Sequence, residues 1–259
     1  MRSRQSYQQI VAFGDSMTDN GYDNGHGFQR YSNGRVWVEY LAEMLRVEDV
    51  EVYAWGGARS GYGNDHPNAR DWSGLLWQIE QYSLSGPAEH TLFTVEIGIN
   101  DLYDPSNEIT AHTVVDNLLS FIANLIDKGA RHLLVWNVPT TMVQPAYLDP
   151  SWHEYPRLQP QLDQAQRLYR QVNDLLLPAL TQVREEYSVC DILLFDLNRS
   201  IVGIQKRFSE TTRPWYGTHM RPTPGTWMWW DHWHWMTETH QMVADAIVRD
   251  VFSDTGEAA

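Results

Sequence analysis

The chain is short of cysteine, of basic residues and of long apolar runs, and each shortage removes a class of protein. Its single cysteine, Cys190, cannot close an intrachain disulfide. It sits beside the apolar run Ile192, Leu193, Leu194, Phe195, and no histidine lies close by in sequence to activate a thiol, so it reads as structural. Lys and Arg total 19 against 33 Asp and Glu, a formal charge of -14, which argues against a phosphate-backbone partner; no nucleic acid is expected. No apolar stretch reaches the length of a membrane span, so no transmembrane segment is expected either. The first apolar run starts within ten residues of Met1, leaving no room for a signal peptide. As written the chain reads as cytoplasmic, and as secreted if a leader has been removed.

What the sequence does contain is alternation. Apolar runs beginning at Ile10, Val50, Thr91, His132 and Asp191 read as five strands, rich in β-branched and aromatic residues. Between them, helical spacing recurs over 36–45, 71–83, 107–128 and 162–187, and again over 199–208 and a last helix carrying Met236, His240, Val243, Ala244 and Ile247. Over 36–45 the apolar face is predicted to hold Trp37, Tyr40, Leu41, Met44 and Leu45, and Pro178 is predicted to bend the long helix. Strands alternating with helices predict an α/β fold, a three-layer α/β/α sandwich on a five-stranded parallel sheet. With no repeat, low-complexity tract or linker, one domain over residues 1–259 is expected.

Three stretches resist any period: 20–35, 139–160 with five prolines, and 209–230. They are expected around the site, with 139–160 as a candidate lid. The 12 tryptophans suggest an aromatic-walled pocket, although large aromatics also fill cores.

Chemistry concentrates where strands end. The run Ile10, Val11, Ala12, Phe13 breaks into Gly14, Asp15, Ser16, Met17, Thr18, Asp19, and in a parallel sheet that end of a strand borders the ligand crevice. Ser16 is therefore a candidate nucleophile, against the alternative that Asp15 and Ser16 merely cap the next helix. After the second strand, Gly56 and Gly57 let backbone approach a ligand and offer amide donors; the spacing to Gly61 and Gly63 lacks the dinucleotide-binding pattern. After the third strand, Gly98, Ile99, Asn100, Asp101 place an amide side chain at the same crevice, or form an ordinary turn. Before the last helix stand Trp230, Asp231, His232, Trp233 and His234.

These four blocks, in this order, resemble the GDSL, or SGNH, hydrolase family. Met17 replaces the usual leucine, Val52 stands where an asparagine is common, and Trp235 and Met236 replace Pro-Thr. The resemblance implies a flavodoxin-like SGNH hydrolase fold and a serine carboxylic ester hydrolase, an esterase, lipase or acetylesterase working through an acyl-enzyme. It implies Ser16, Asp231 and His234 as the catalytic residues, with Ser16, Gly57 and Asn100 forming the oxyanion hole. No metal and no cofactor are expected; a zinc site of Asp231, His232, His234 and His240 lacks a recognised spacing. The partner is a small-molecule ester: a lipid, an acetylated sugar or another acyl ester. An acyltransferase using the same acyl-enzyme, and a catalytically silent carbohydrate- or lipid-binding relative, stay open. His240 reads as a core histidine, and Asp15 as a turn residue supporting Ser16.

Overall fold

The computed structural model describes residues 6–21, 29–84, 86–216 and 226–253. Parts of the irregular stretches 20–35 and 209–230 lie outside the described residues. Five strands form one sheet, β1 (Gln9–Phe13), β2 (Asp49–Val52), β3 (Thr91–Val95), β4 (His132–Trp136) and β5 (Asp191–Phe195), in the order β2-β1-β3-β4-β5. Every pair is parallel, with Ile10 beside both Val50 and Leu92, and His132 beside Asp191.

Alternation along each strand sorts side chains into two layers, because successive residues of a strand face opposite sides of a sheet. Ile10, Ala12, Leu134 and Trp136 face α1 (Trp37–Leu45) and, later in the chain, α7 (Leu197–Gln205) and α8 (Thr237–Ile247). Val11, Phe13, Phe93 and Val135 face α2 (Leu75–Gln81), α4 (Ala111–Asp127) and α6 (Leu162–Glu186). β1 and β3 are buried along their whole length, as strands covered on both faces must be. Two short helices complete the set: α3 (Ile99–Leu102), and α5 (Tyr155–Leu158).

One helix differs in part from what periodicity predicts. In α1 the buried residues are Trp37, Val38, Leu41 and Ala42, while Tyr40 and Met44 are half-buried, and the Tyr40 hydroxyl meets Thr237 Oγ1 at 2.8 Å. The inward stripe is thus turned toward Val38 and Ala42, next to α8. α6 runs from Leu162 to Glu186, close to the predicted 162–187, with Pro178 inside it. α4 matches its pattern, capped by the Thr110 hydroxyl accepting the Thr113 N–H at 3.1 Å.

The stretch 139–160 is docked on the body of the protein. It holds a 3-10 turn at Pro145–Tyr147 and α5, and Ala146, Tyr147 and Leu158 are buried with Leu102, Val138, Tyr169 and Val172. Asn173 of α6 accepts the Val138 N–H at 2.9 Å and Asn198 of α7 donates to the Val138 carbonyl at 2.8 Å, pinning its start. Among the described residues no helix is long and apolar enough to cross a membrane.

The chain leaves β1 for β2 on one side and returns to β3 on the other, so the switch point of the sheet lies between β1 and β3. Residues just past these strands share one crevice. Packing beneath it centres on Phe13 and Phe121, whose rings meet edge to face at 5.0 Å. Phe121→Ala should cost about 3–5 kcal/mol in urea unfolding without a change in m-value, because Phe121 is fully buried and its loss leaves a cavity.

Candidate active site

The turn after β1 is built by carboxyl and amide groups gripping its backbone. The Gly14 N–H donates to Gln78 Oε1 at 3.0 Å and the Asp15 N–H to Glu96 Oε1 at 3.1 Å. Asp15 Oδ1 accepts the Met17 N–H at 3.0 Å, closing a tight turn that presents Ser16. Asp15 thus supports the turn, in line with its sequence reading.

The loop before α8 brings an imidazole to that serine. His234 Nε2 lies 2.8 Å from Ser16 Oγ, and His234 Nδ1 lies 2.7 and 2.8 Å from the two Asp231 oxygens. Asp231 Oδ1 also accepts the N–H groups of Trp233 and His234, both at 2.8 Å, so the loop folds around its own carboxylate. Burial pushes the Asp231 carboxyl up, but His234 and these N–H donors outweigh it and hold the group below the ordinary aspartate range. An ionised Asp231 fixes the proton of His234 on Nδ1 and leaves Nε2 to accept the Ser16 hydroxyl.

The glycine block stands on the other side of the serine. Gly57 has φ +78, and a Cβ there would sit 2.4 Å from Asn64 Oδ1. The Gly56 N–H donates to Asp19 Oδ2 at 2.8 Å, tying this loop to the turn after β1. Among the described residues neither the Ser16 N–H nor the Gly57 N–H has a protein acceptor, so both stand free for a ligand. Asn100 Nδ2 donates to Ala58 O at 3.0 Å and to Asp15 Oδ2 at 3.2 Å, so both its hydrogens are engaged within the protein. Asp101, fully enclosed, accepts from Ser60 N and Ser60 Oγ and locks α3 to the glycine loop.

Other residues of the site carry no motif. Tyr31, in the irregular stretch after β1, lays its ring 4.7 Å from the His234 ring and presses on Gly56, where a Cβ would lie 2.4 Å from its hydroxyl oxygen. Burial, with Asp19 and Asp231 nearby, pushes its phenol up to about 12, so it stays neutral. Glu96, Gln78 and Asn64 act at a distance in sequence and showed no signal there. A small cavity, with room for about one water molecule, is lined by Met17, Glu96, Ile97, Ile99, Trp136 and Trp235.

His232 and His240 turn elsewhere. His232 Nε2 meets Asp149 Oδ2 at 3.2 Å and its ring stacks on Trp152 at 3.9 Å, fastening the docked 139–160 stretch to the base-bearing loop. His240 is buried, accepts the Trp37 N–H on Nδ1 at 3.3 Å, and is pushed down to about 3 by burial, so it is a neutral core histidine. Among the described residues no three His, Cys, Asp or Glu side chains converge as a metal cage. Cys190 is buried, and burial pushes its thiol up to about 11. Of the tryptophans crowding this end, Trp229 and Trp235 are core residues, whereas Trp233 is half-buried between Tyr103 and Tyr147.

A family model described as GDSL-like lipase/acylhydrolase matches residues 10–247. Among characterised relatives, the chain is similar to a thermolabile hemolysin of Vibrio parahaemolyticus, 22% identical over 92% of this chain and 62% of that protein. It is also similar to a phosphatidylcholine-sterol acyltransferase of Aeromonas hydrophila, 27% identical over 53% of this chain and 46% of that protein. The chain thus spans less than two thirds of the length of either relative. Its fold is that of an inhibitor-bound M. smegmatis aryl esterase, with a TM-score of 0.57 at 15% identity over 94% of this chain and 98% of the other.

Two outcomes are expected from this geometry. Gly57→Ala forces a left-handed backbone and a clash with Asn64, whose Nδ2 is held by Gly56 O at 2.8 Å and Ser73 Oγ at 2.9 Å. It should lower stability by about 1–3 kcal/mol in denaturant titration. Beside the base-bearing loop, Glu210 binds Thr212 and Arg213; burial works against its charge, but these partners bring it from 4.5 down to about 2. The folded chain keeps this carboxylate ionised where the unfolded chain would take a proton, so its stabilisation is in place above 4.5 and is lost as pH falls toward about 2. Acid titration followed by tryptophan fluorescence should show this end loosening in that window, and Glu210→Gln should remove the step.

Proposed function

Because the chain belongs to the GDSL-like lipase/acylhydrolase family, we propose that it is a carboxylic ester hydrolase working through an acyl-enzyme on Ser16. The observation that carries this reading is the continuous chain from Ser16 Oγ to His234 at 2.8 Å and from His234 to Asp231 at 2.7 Å. His234 Nε2 takes the serine proton as Ser16 Oγ attacks the ester carbonyl, and Asp231 steadies the imidazolium that forms. The carbonyl oxygen becomes an oxyanion received by the free N–H groups of Ser16 and Gly57, with Asn100 Nδ2 turning one hydrogen from Asp15 toward it. His234 then hands its proton to the leaving alcohol. Water repeats the sequence on the acyl-enzyme and releases the acid.

The acyltransferase named among the relatives supports a second outcome for the same intermediate, interception by an alcohol in place of water.

A fluorophosphonate probe should label Ser16, located by mass spectrometry, and Ser16→Ala should keep its fold while losing both label and turnover. Asn100→Ala should lower kcat by about 10²–10³, the usual loss of one oxyanion donor, and still accept the label. A fully active Ser16→Ala protein would sink the mechanism. Product analysis with added alcohol separates hydrolysis from transfer: an ester product that grows with alcohol concentration identifies the transferase.

A further inference from the structure

Beneath the nucleophile turn lie two carboxyl groups that the proposed mechanism does not use. Asp15 is 1% exposed and Glu96 6% exposed, and Glu96 Oε1 accepts the Asp15 backbone N–H at 3.1 Å, which sets the two carboxyl groups side by side. Two carboxylates cannot both stay charged at such contact in a dry site, so one proton must be shared between them.

The bonds around the pair say which group carries it. Glu96 Oε1 accepts two hydrogens, from the Asp15 N–H at 3.1 Å and from Thr18 Oγ1 at 2.8 Å. Thr18 Oγ1 is free to donate because it accepts the Trp37 Nε1–H at 3.0 Å. Glu96 Oε2 is the oxygen left to hold a proton. Asp15, in contrast, accepts on both oxygens, from the Met17 N–H at 3.0 Å and from Asn100 Nδ2 at 3.2 Å.

We propose that Glu96 is a neutral acid that donates its proton to an ionised Asp15, and that this single shared proton positions both the Ser16 turn and the Asn100 amide for ester hydrolysis. The proposal rests on the esterase reading of the site. Glu96 touches no reacting atom and is a positioning residue. Through Oε1 it holds the turn that carries Ser16, and through Oε2 it fixes the carboxylate that keeps the Asn100 amide at the site until the oxyanion draws one of its hydrogens away. Loss of the last proton would leave a dianion under the oxyanion hole, and its repulsion would fall on the charge developing in the transition state.

The charged and titratable groups facing the pair are His234 from the base-bearing loop, Asp101 from α3 and Tyr169 from α6. His234 opposes proton uptake by Asp15, whereas Asp101 favours it. Burial raises both members of the pair, Asp15 to about 6 and Glu96 well above the ordinary glutamate range, in the direction a shared proton requires.

Glutamine copies the neutral acid: its carbonyl oxygen accepts from Asp15 N and Thr18, and its amide donates to the Asp15 carboxylate. On a chromogenic short-chain ester, Glu96→Gln should keep kcat within about threefold at pH 7 and abolish an alkaline fall in kcat seen in the wild type. Glu96→Ala should lose more than about tenfold in kcat with KM little changed, because positioning is lost and binding is not. A folded Glu96→Gln protein that loses as much kcat as Glu96→Ala, or that keeps the alkaline fall, overturns the proposal.

Infrared spectroscopy of the wild type provides a readout independent of turnover. A carbonyl band of a protonated buried carboxylic acid should persist at pH 8 and vanish in Glu96→Gln. Absence of that band from the wild type, or its survival in the variant, overturns the shared proton whether or not either variant folds well enough for kinetics. A wild type that shows the band but neither turns over an ester nor labels at Ser16 overturns the esterase reading and, with it, the positioning role, while leaving the proton on Glu96 established.

Discussion

The bond between Ser16 Oγ and His234 Nε2 spans 218 residues of sequence, and most of the fold can be read as what is needed to hold its two ends 2.8 Å apart. One end is a turn at the switch point of a parallel sheet, the other a loop leading into the last helix. Neither is part of a regular element, so neither is placed by a helix or sheet ladder. Each must be fixed by side chains, and a hydrogen bond of this kind weakens steeply once its geometry drifts.

The fixing is done by polar groups that reach across gaps in sequence, most of them onto backbone. Gln78 both accepts from Gly14 N and donates to Gly14 O, at 3.0 and 2.8 Å, so one side chain of α2 clamps the end of β1. Asp19 joins the serine turn to the glycine block, Asp101 joins the glycine loop to α3, and His232 with Asp149 joins the base-bearing loop to the docked stretch. In a low dielectric such bonds are strong when complete and costly when broken, so each of them resists displacement of the loop it holds. The two apolar layers supply the stability, and this polar web supplies the placement.

Much of this was legible in the sequence because its signal is local. β5 has the bounds its apolar run predicts, and the five strands appear in the parallel arrangement that alternation with helices implies. Ser16, Gly57, Asn100, Asp231 and His234 were nameable because each sits in a block whose composition is odd at that point of the chain. Glu96 and Gln78 were not, since their partners lie 81 and 64 residues away and a glutamate at the end of a strand looks like a solvated one. The inward face of α1 was misread for the same reason: which of Tyr40 and Val38 turns inward is decided by α8, almost two hundred residues on. Tyr31 lies in a stretch with no period at all.

That tyrosine gives Gly56 a meaning unlike that of its neighbour. Gly57 needs its backbone angle, whereas Gly56 needs only the absence of a side chain, because the phenol ring occupies the space a methyl group would take. The two positions are therefore a matched pair in volume, and neither can drift alone. Enlarging residue 56 requires a smaller residue at 31, and that exchange would strip the ring from the face of His234 and open a new slot beside the base. A lineage diverging at these two sites would reshape this side of the crevice while leaving Ser16, His234 and Asp231 where they are.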